Sequence, residues 1–219
     1  MRFVFRAPIS ALLGLLLSVQ SFAQAPAAPS TPPPAQPQAQ AAPAPRQSKP
    51  QTRQVGTRVA VDPSKLWVDD GDTGKIQWSE RDTETVRILG IDTPEIAHPR
   101  YDQPYAQSFG PEARAFAKGA FATATKIELL RSSTLDPYGR TLGYFFLNDK
   151  NYSVLVVRAH LAEESVSRYG DNGLPTEAAA VTAAAKDAGP VLFEPPGDFR
   201  KRMRDWTKWL QSTGAHTEN

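Results

Sequence analysis

The sequence predicts a mainly β, α+β domain: a small five-stranded barrel of the OB type with about three helices packed on it and a further helix at the C-terminal end. Three observations carry this prediction. Short strand-like segments bounded by turn residues recur between Val59 and Leu147. One amphipathic stretch interrupts them after Pro111. Helical segments without any internal repeat follow the last strand.

Taken in order, the chain opens with Arg2 and Arg6 and then runs apolar from Ile9 to Val19 apart from Ser10, Gly14 and Ser18. Ser21-Phe22-Ala23 follows, with small residues at the two places a signal peptidase reads. The run is shorter than the roughly 20 residues a transmembrane helix needs. Residues 1–23 are therefore expected to be a signal peptide cleaved after Ala23, giving an exported product, secreted or periplasmic, with no stable membrane insertion; an uncleaved signal anchor is the alternative. Nine of the 20 prolines lie between Gln24 and Pro50. Such a stretch cannot bury enough apolar surface to offset its ordering entropy, so residues 24–54 are expected to be a disordered Pro/Ala/Gln-rich linker. A docking segment for a proline-reading partner is the other meaning of that composition.

Residues 55–190 are expected to form the folded domain. Val59-Ala60-Val61, Lys65–Val68, Gly74–Trp78 and Thr85–Ile91 read as strands. Pro111-Glu112 opens a helix in which Ala113, Phe116, Ala117, Ala120 and Phe121 recur at helical spacing. Strand character returns at Lys126–Leu130 and Thr141–Leu147 around a turn at Leu135–Arg140. Ser153–His160 is expected to be a short helix with Leu155, Val156 and Ala159 inward, and Thr176–Ala188 a helix stopped by Gly189. Residues 191–219 form a C-terminal helical extension, with a helix over Gly197–Leu210 that places Phe199, Met203, Trp206 and Leu210 on one face.

The 219 residues include no cysteine, which excludes a disulfide scaffold, a thiolate zinc site, a cysteine nucleophile and a cysteine-linked lipid anchor. The net charge of +2 suggests a polyanion partner until the chain is divided. Four of the 25 basic side chains (Arg2, Arg6, Arg46 and Lys49) fall in the first fifty residues with no acid, leaving 21 against 23 acids in the rest. A slightly acidic domain that handles nucleic acid must do so through particular arginines.

Unusual polar chemistry is concentrated in three places. Asp69-Asp70-Gly71-Asp72-Thr73 crowds acids around a glycine turn; oxygen donors at this density favour calcium or magnesium, although alone the segment reads first as a plain hairpin turn. In Arg87-Ile88-Leu89-Gly90-Ile91-Asp92-Thr93-Pro94-Glu95, alternation puts Arg87 on one face with Leu89 and Ile91. A guanidinium there needs an anionic partner, and a plain ion pair with Asp92 or Glu95 would suffice. Asp136-Pro137-Tyr138-Gly139-Arg140 is a tight turn that presents a second arginine, solvated if the segment stood alone. Together they supply acids for a hard cation, one further carboxylate for proton transfer and two arginines matched to phosphate oxygens. That inventory fits metal-assisted phosphodiester hydrolysis.

In these residues the sequence resembles the staphylococcal-nuclease-like thermonucleases. The resemblance rests on Asp70 to Thr73, Val86 to Glu95, Phe109-Gly110-Pro111-Glu112-Ala113 with Phe116 and Lys118, Asp136 to Arg140, Leu142-Gly143-Tyr144 and Leu161-Ala162, in the family's order across residues 56–190. It implies an OB barrel that hydrolyses DNA and RNA with calcium (Ca2+) and leaves 3′-phosphate ends. Carried over residue by residue, it implies that Asp72 and Asp92 bind calcium through carboxylates and Thr93 through its backbone carbonyl. Glu95 becomes the general base, and Arg87 and Arg140 grip the scissile phosphate. DNA and RNA are the implied partners, with no obligate protein partner.

The chain departs from the family at Pro137, where a lysine would stand, and at Ser153, where an asparagine often precedes the short helix. After Leu161-Ala162, Glu163 and Glu164 occupy the region of the substrate-stacking tyrosines, with Tyr169 the nearest aromatic. His98, His160 and His216 lack metal-ligand spacing and read as surface or packing residues. Trp67 and Trp78 read as core or barrel-rim aromatics, and the Arg200-Lys201-Arg202-Met203-Arg204 run as the wet face of a helix. The rival to an enzyme is an OB-fold module that binds nucleic acid or protein with weak or no catalysis.

Overall fold

Alternating apolar side chains and Asp-Gly or Asn-Asp turns build a curled mixed sheet, which the computed structural model describes over residues 48–214. The expected signal peptide, most of the expected linker and His216 lie outside the described residues. The elements in chain order are β1 (Arg58–Val61), β2 (Leu66–Val68), β3 (Thr73–Ser79), β4 (Asp82–Ile88), β5 (Ile91–Asp92), α1 (Gly110–Thr123), β6 (Ile127–Leu135), β7 (Thr141–Leu147), β8 (Lys150–Asn151), α2 (Tyr152–Arg158), β9 (Glu163–Glu164), α3 (Val166–Tyr169), α4 (Pro175–Ala188) and α5 (Pro196–Thr213). The main sheet runs β1-β6-β7-β4-β3-β2 with β8 beside β7, curled as a half-barrel; β5 and β9 pair separately. The mainly β, α+β architecture is the one the sequence predicts.

One parallel pairing matters for the site. β4 lies parallel to β7, with Arg87 opposite Leu142 and Val86 opposite Thr141, so the turn that enters β7 is carried to the C-terminal end of β4. The core fills the concave side: Val86, Ile88, Leu129, Phe145, Tyr152 and Val156 are almost wholly buried. Phe121 of α1 meets the Phe145 ring edge-on at 5.2 Å and the Tyr152 ring at 5.0 Å, which fixes α1 against the sheet and α2.

A buried polar network lies inside this core. Arg131 of β6 donates to Glu84 of β4 through Nε (2.8 Å) and Nη2 (2.7 Å). The remaining Glu84 acceptor capacity is met by the Thr141 hydroxyl at 2.6 Å and the Trp78 indole N–H at 2.7 Å. Each ion is thus paired and hydrogen-bonded, the condition under which a buried charge is tolerated.

Several local expectations are corrected. The strand expected through Ile91 ends at Ile88, because Gly90 takes φ +79° and breaks the pleat; Leu89 and Ile91 are buried and do not share a strand face with Arg87. Lys65 belongs to a 3-10 turn over Pro63–Lys65 and precedes β2. In α2, Val157 is buried with Val156, while Leu155 and Ala159 are half-buried. The asparagine cap missing at Ser153 is supplied by Asn151, whose side chain accepts from Ser153 N at 2.9 Å, and the Ser153 hydroxyl donates to Leu89 O. In α5 the buried residues include Phe199 and Met203, but Trp206 is exposed and stacks on Trp209 at 5.0 Å. Trp67 is exposed, and Trp78 is half-buried against Glu84. Residues 48–54, expected in the linker, lie along β6: Leu135 N donates to Lys49 O (2.7 Å) and Gln51 N to Ser133 O (2.9 Å).

Candidate active site

The Asp-rich turn between β2 and β3 is held by its own short side chains. Asp70 Oδ1 accepts from Asp72 N at 3.1 Å, an Asx-type closure, and the buried Tyr152 hydroxyl donates to Gly71 O at 2.7 Å. Asp72 is thereby turned inward and is only 3% exposed. Its Oδ2 accepts from Thr93 N at 3.1 Å, which joins this turn to the loop after β5. Its Oδ1 accepts from Thr73 Oγ1 at 3.2 Å and pairs with Arg87 Nη1.

Arg87 bridges both aspartates. Nη2 reaches Asp92 Oδ1 at 3.0 Å and Ile91 O at 3.3 Å. Asp92, in β5, is 1% exposed. A plain ion pair was the alternative meaning of Arg87, and the contact exists, but to two carboxylates at once. Glu95 follows at the end of the Pro94 turn and is held from behind: its N donates to Gln107 Oε1 (3.2 Å), its O accepts from Gln107 N (2.8 Å) and its Oε2 accepts from Gln103 Nε2 (3.2 Å). Gly110 allows this loop to close, because a Cβ there would stand 2.0 Å from Glu95 O.

Arg140 arrives through the β4–β7 pairing. Asp136 closes its turn by accepting from Tyr138 N (2.9 Å) and Arg140 N (2.8 Å), and takes Arg140 Nε on Oδ2 at 2.6 Å. Among the described residues neither Nη1 nor Nη2 has a hydrogen-bond acceptor, and the guanidinium lies 5.7 Å from the Tyr138 ring centroid. Asp72, Arg87, Glu95 and Arg140 all line one cavity of about 750 Å³, with Tyr138 and Tyr169 exposed at its edge. Asp92 and Thr93 lie just behind that wall, almost wholly covered. All six predicted site residues therefore converge on one end of the sheet.

Arg200 joins them, against expectation. It belongs to the basic run assigned to the wet face of α5, yet its Nη1 and Nη2 grip Asp92 Oδ1 (3.1 Å) and Oδ2 (2.8 Å), and Nη1 also pairs with Glu95 Oε1. A sequence signal existed: Arg200 adjoins Phe199 and lies three residues before Met203, so it borders the buried stripe of the helix. Gln103 and Gln107, both buried, carried no comparable signal. Burial pushes the Asp92 carboxyl up, but hydrogen bonds from Arg200 and the charge of Arg87 outweigh it and hold the group below its ordinary range. Asp70 is displaced upward because burial outweighs the attraction of Arg87.

No three acidic or histidine side chains gather at metal-ligand spacing among the described residues. The donor set nevertheless suits a hard cation: two buried carboxylates, Asp72 and Asp92, linked through Arg87 and through the Thr93 amide, with every anionic oxygen already turned to positive charge or a donor.

The family model described as "Staphylococcal nuclease homologue" matches residues 85–191. Residues 85–191 are thus staphylococcal-nuclease-like in sequence. It is 36% identical over 96 residues to the protein named thermonuclease of Staphylococcus intermedius, covering 43% of this chain and 54% of that one. It is 31% identical over 99 residues to an uncharacterized protein of Methanocaldococcus jannaschii, covering 38% of this chain and 47% of the other. The chain thus spans about half the length of the curated relatives it matches. Arg87, Asp92, Thr93, Glu95 and Arg140 fall inside the matched segment, whereas Asp72 precedes it and Arg200 follows it.

Proposed function

We propose that this chain is an exported, calcium-dependent endonuclease that hydrolyses DNA and RNA to 3′-phosphate products. The observation that carries the proposal is the convergence of Asp72, Arg87, Glu95 and Arg140 on a single cavity, with the buried Asp92 bonded to Arg87 just behind its wall and Glu95 held by Gln103 at its carboxylate and by Gln107 at its backbone. Asp72, Asp92 and the Thr93 carbonyl would hold calcium, which when bound supplies a Lewis acid beside the phosphoryl oxygen.

The remaining chemistry belongs to the chain. Glu95 takes a proton from the attacking water as its oxygen bonds to phosphorus; the P–O5′ bond breaks and the 5′-oxygen leaves with a proton from solvent. Arg140, anchored through Nε by Asp136, and Arg87 supply fixed donors where negative charge accumulates on the phosphate. Tyr169, exposed at the cavity edge, offers a ring to a base, a contact tolerant of sequence and sugar.

The test is cleavage of paired single-stranded DNA and RNA substrates by the mature chain during a calcium titration. Glu95→Gln and Arg140→Ala are each expected to lower turnover about 10²-fold or more while leaving the fold intact, and chelation to abolish it. Turnover by Glu95→Gln at the parent rate would overturn the assignment. Tight oligonucleotide binding without turnover by the parent would mark the OB-type binding module instead.

A further inference from the structure

The acidic end of the sheet already has a cation on it. Asp72, Asp92 and Glu95 contribute three negative charges, and Arg87 and Arg200 return two positive ones. Arg87 is part of β4 and within the matched family segment; Arg200 is brought in by α5, beyond that segment. Its hold is extensive. Both Asp92 oxygens accept from it, at 3.1 and 2.8 Å, and Glu95 Oε1 is taken as well. An arginine guanidinium is not deprotonated in proteins, so Arg200 is a cation held against both acids.

Its placement is enforced by packing. Phe199 and Met203 flank it along the helix and are buried, at 4% and 5% exposure. The segment leading into α5 is tied to the loop that carries Glu95: Gln107 Nε2 donates to Glu194 O at 2.6 Å, while Gln107 Oε1 accepts from Glu95 N. The helix that supplies Arg200 and the loop that supplies the base are thus held by the same glutamine.

A bound divalent cation needs Asp92 oxygens, and a general base needs a free Glu95 lone pair; Arg200 occupies both. From this geometry we infer that Arg200 is a built-in competitor for the metal, an autoinhibitory latch that the cation must displace from Asp92 before Glu95 is freed. The inference rests on the calcium reading of the site. The apparent affinity for the metal is reduced by the fraction of molecules in which Arg200 holds the carboxylates, and removing the latch restores it. Arg204 gives an internal control. It lines the same cavity one helical turn on, but makes no ion pair with Asp92 or Glu95.

The experiment is isothermal calorimetry of calcium, without substrate, on the full chain as parent, Arg200→Gln, Arg200→Lys and Arg204→Gln, with thermal melts to verify folding and cleavage measured in parallel. Arg200→Gln is expected to bind calcium about tenfold more tightly and to reach half-maximal cleavage at correspondingly lower calcium. Arg200→Lys, which keeps a charge but loses the two-pronged grip, should fall between it and the parent. Arg204→Gln should stay within about twofold of the parent, since it changes net charge without touching the carboxylates. Unchanged or weaker binding in Arg200→Gln overturns the latch, as does equal tightening in Arg204→Gln, which would reduce the effect to overall charge. Lost cleavage in Arg200→Gln at parental calcium affinity also overturns it and assigns Arg200 to the phosphate. Calcium binding by none of the four overturns both the latch and the calcium reading. Tighter binding in Arg200→Gln with no cleavage by any chain leaves the latch standing and overturns the nuclease reading alone.

Discussion

Glu84 shows how one residue can set the conditions under which the whole sheet survives. Burial pushes its carboxyl up, but Arg131, Thr141 and Trp78 together outweigh burial and hold it below the ordinary glutamate range. A depressed native pKa contributes stability that is fully present above the ordinary glutamate value and lost as pH falls through the native one. Urea unfolding measured from about pH 7 down to about pH 3 should therefore show stability falling on the acid side. Glu84→Gln leaves Arg131 buried without its anion and is expected to cost about 3–5 kcal/mol at neutral pH, with a flatter acid limb. Equal slopes in the two proteins would remove Glu84 from the account of acid sensitivity. None of this was visible beforehand: Glu84 and Arg131 are 47 residues apart, and each lies one residue outside the strands expected at Thr85–Ile91 and Lys126–Leu130.

At the scale of elements, the site is made by close approaches between loops. The α1 start packs so tightly under the Glu95 loop that Gly110 has no room for a methyl group. Gly110→Ala is expected to shift Glu95, lower cleavage at least about tenfold and cost about 1–3 kcal/mol, read from turnover alongside a denaturation curve; a fully active, equally stable variant would show that the loop tolerates displacement. The Phe109-Gly110-Pro111 motif was legible as a helix start, but its second task, backing the Glu95 loop, depends on which loop lies above it. The same holds for β4. A β-branched run correctly announced a strand, yet its end at Ile88 was decided by the positive φ of Gly90, which turns the chain so that Asp92 can meet Arg87 from the side.

For the whole molecule, the division at about residue 50 shapes what can be tested. The folded part is slightly acidic, and the excess of basic residues sits in the first fifty. Export is expected to yield a mature chain beginning at Gln24, so intact-mass measurement of the processed protein should show the loss of residues 1–23; retention of the full mass in a membrane fraction would favour the signal anchor. Removal of residues 1–54 should leave the melting temperature of the chain little changed if the linker extends as far as its composition suggests. The Lys49 and Gln51 contacts with β6 instead predict a small loss, of a few degrees for about 1 kcal/mol, and the comparison of truncations at residues 47 and 54 distinguishes the two.

The sequence by itself determined the mainly β class and the order of the longer strands and helices, because periodicity and turn chemistry are local properties written in adjacent residues; Asp72, Arg87, Asp92, Thr93, Glu95 and Arg140 were named as a set only through the family resemblance of their motifs. Only the tertiary structure decided that Glu84 and Arg131 neutralise each other in the core, that Gln103 and Gln107 hold the Glu95 loop, and that Arg200 faces the acids rather than water. Those outcomes depend on contacts between residues up to 108 positions apart. The direction in which a docked helix points a side chain follows from which surface it buries, and no short stretch of sequence contains that surface.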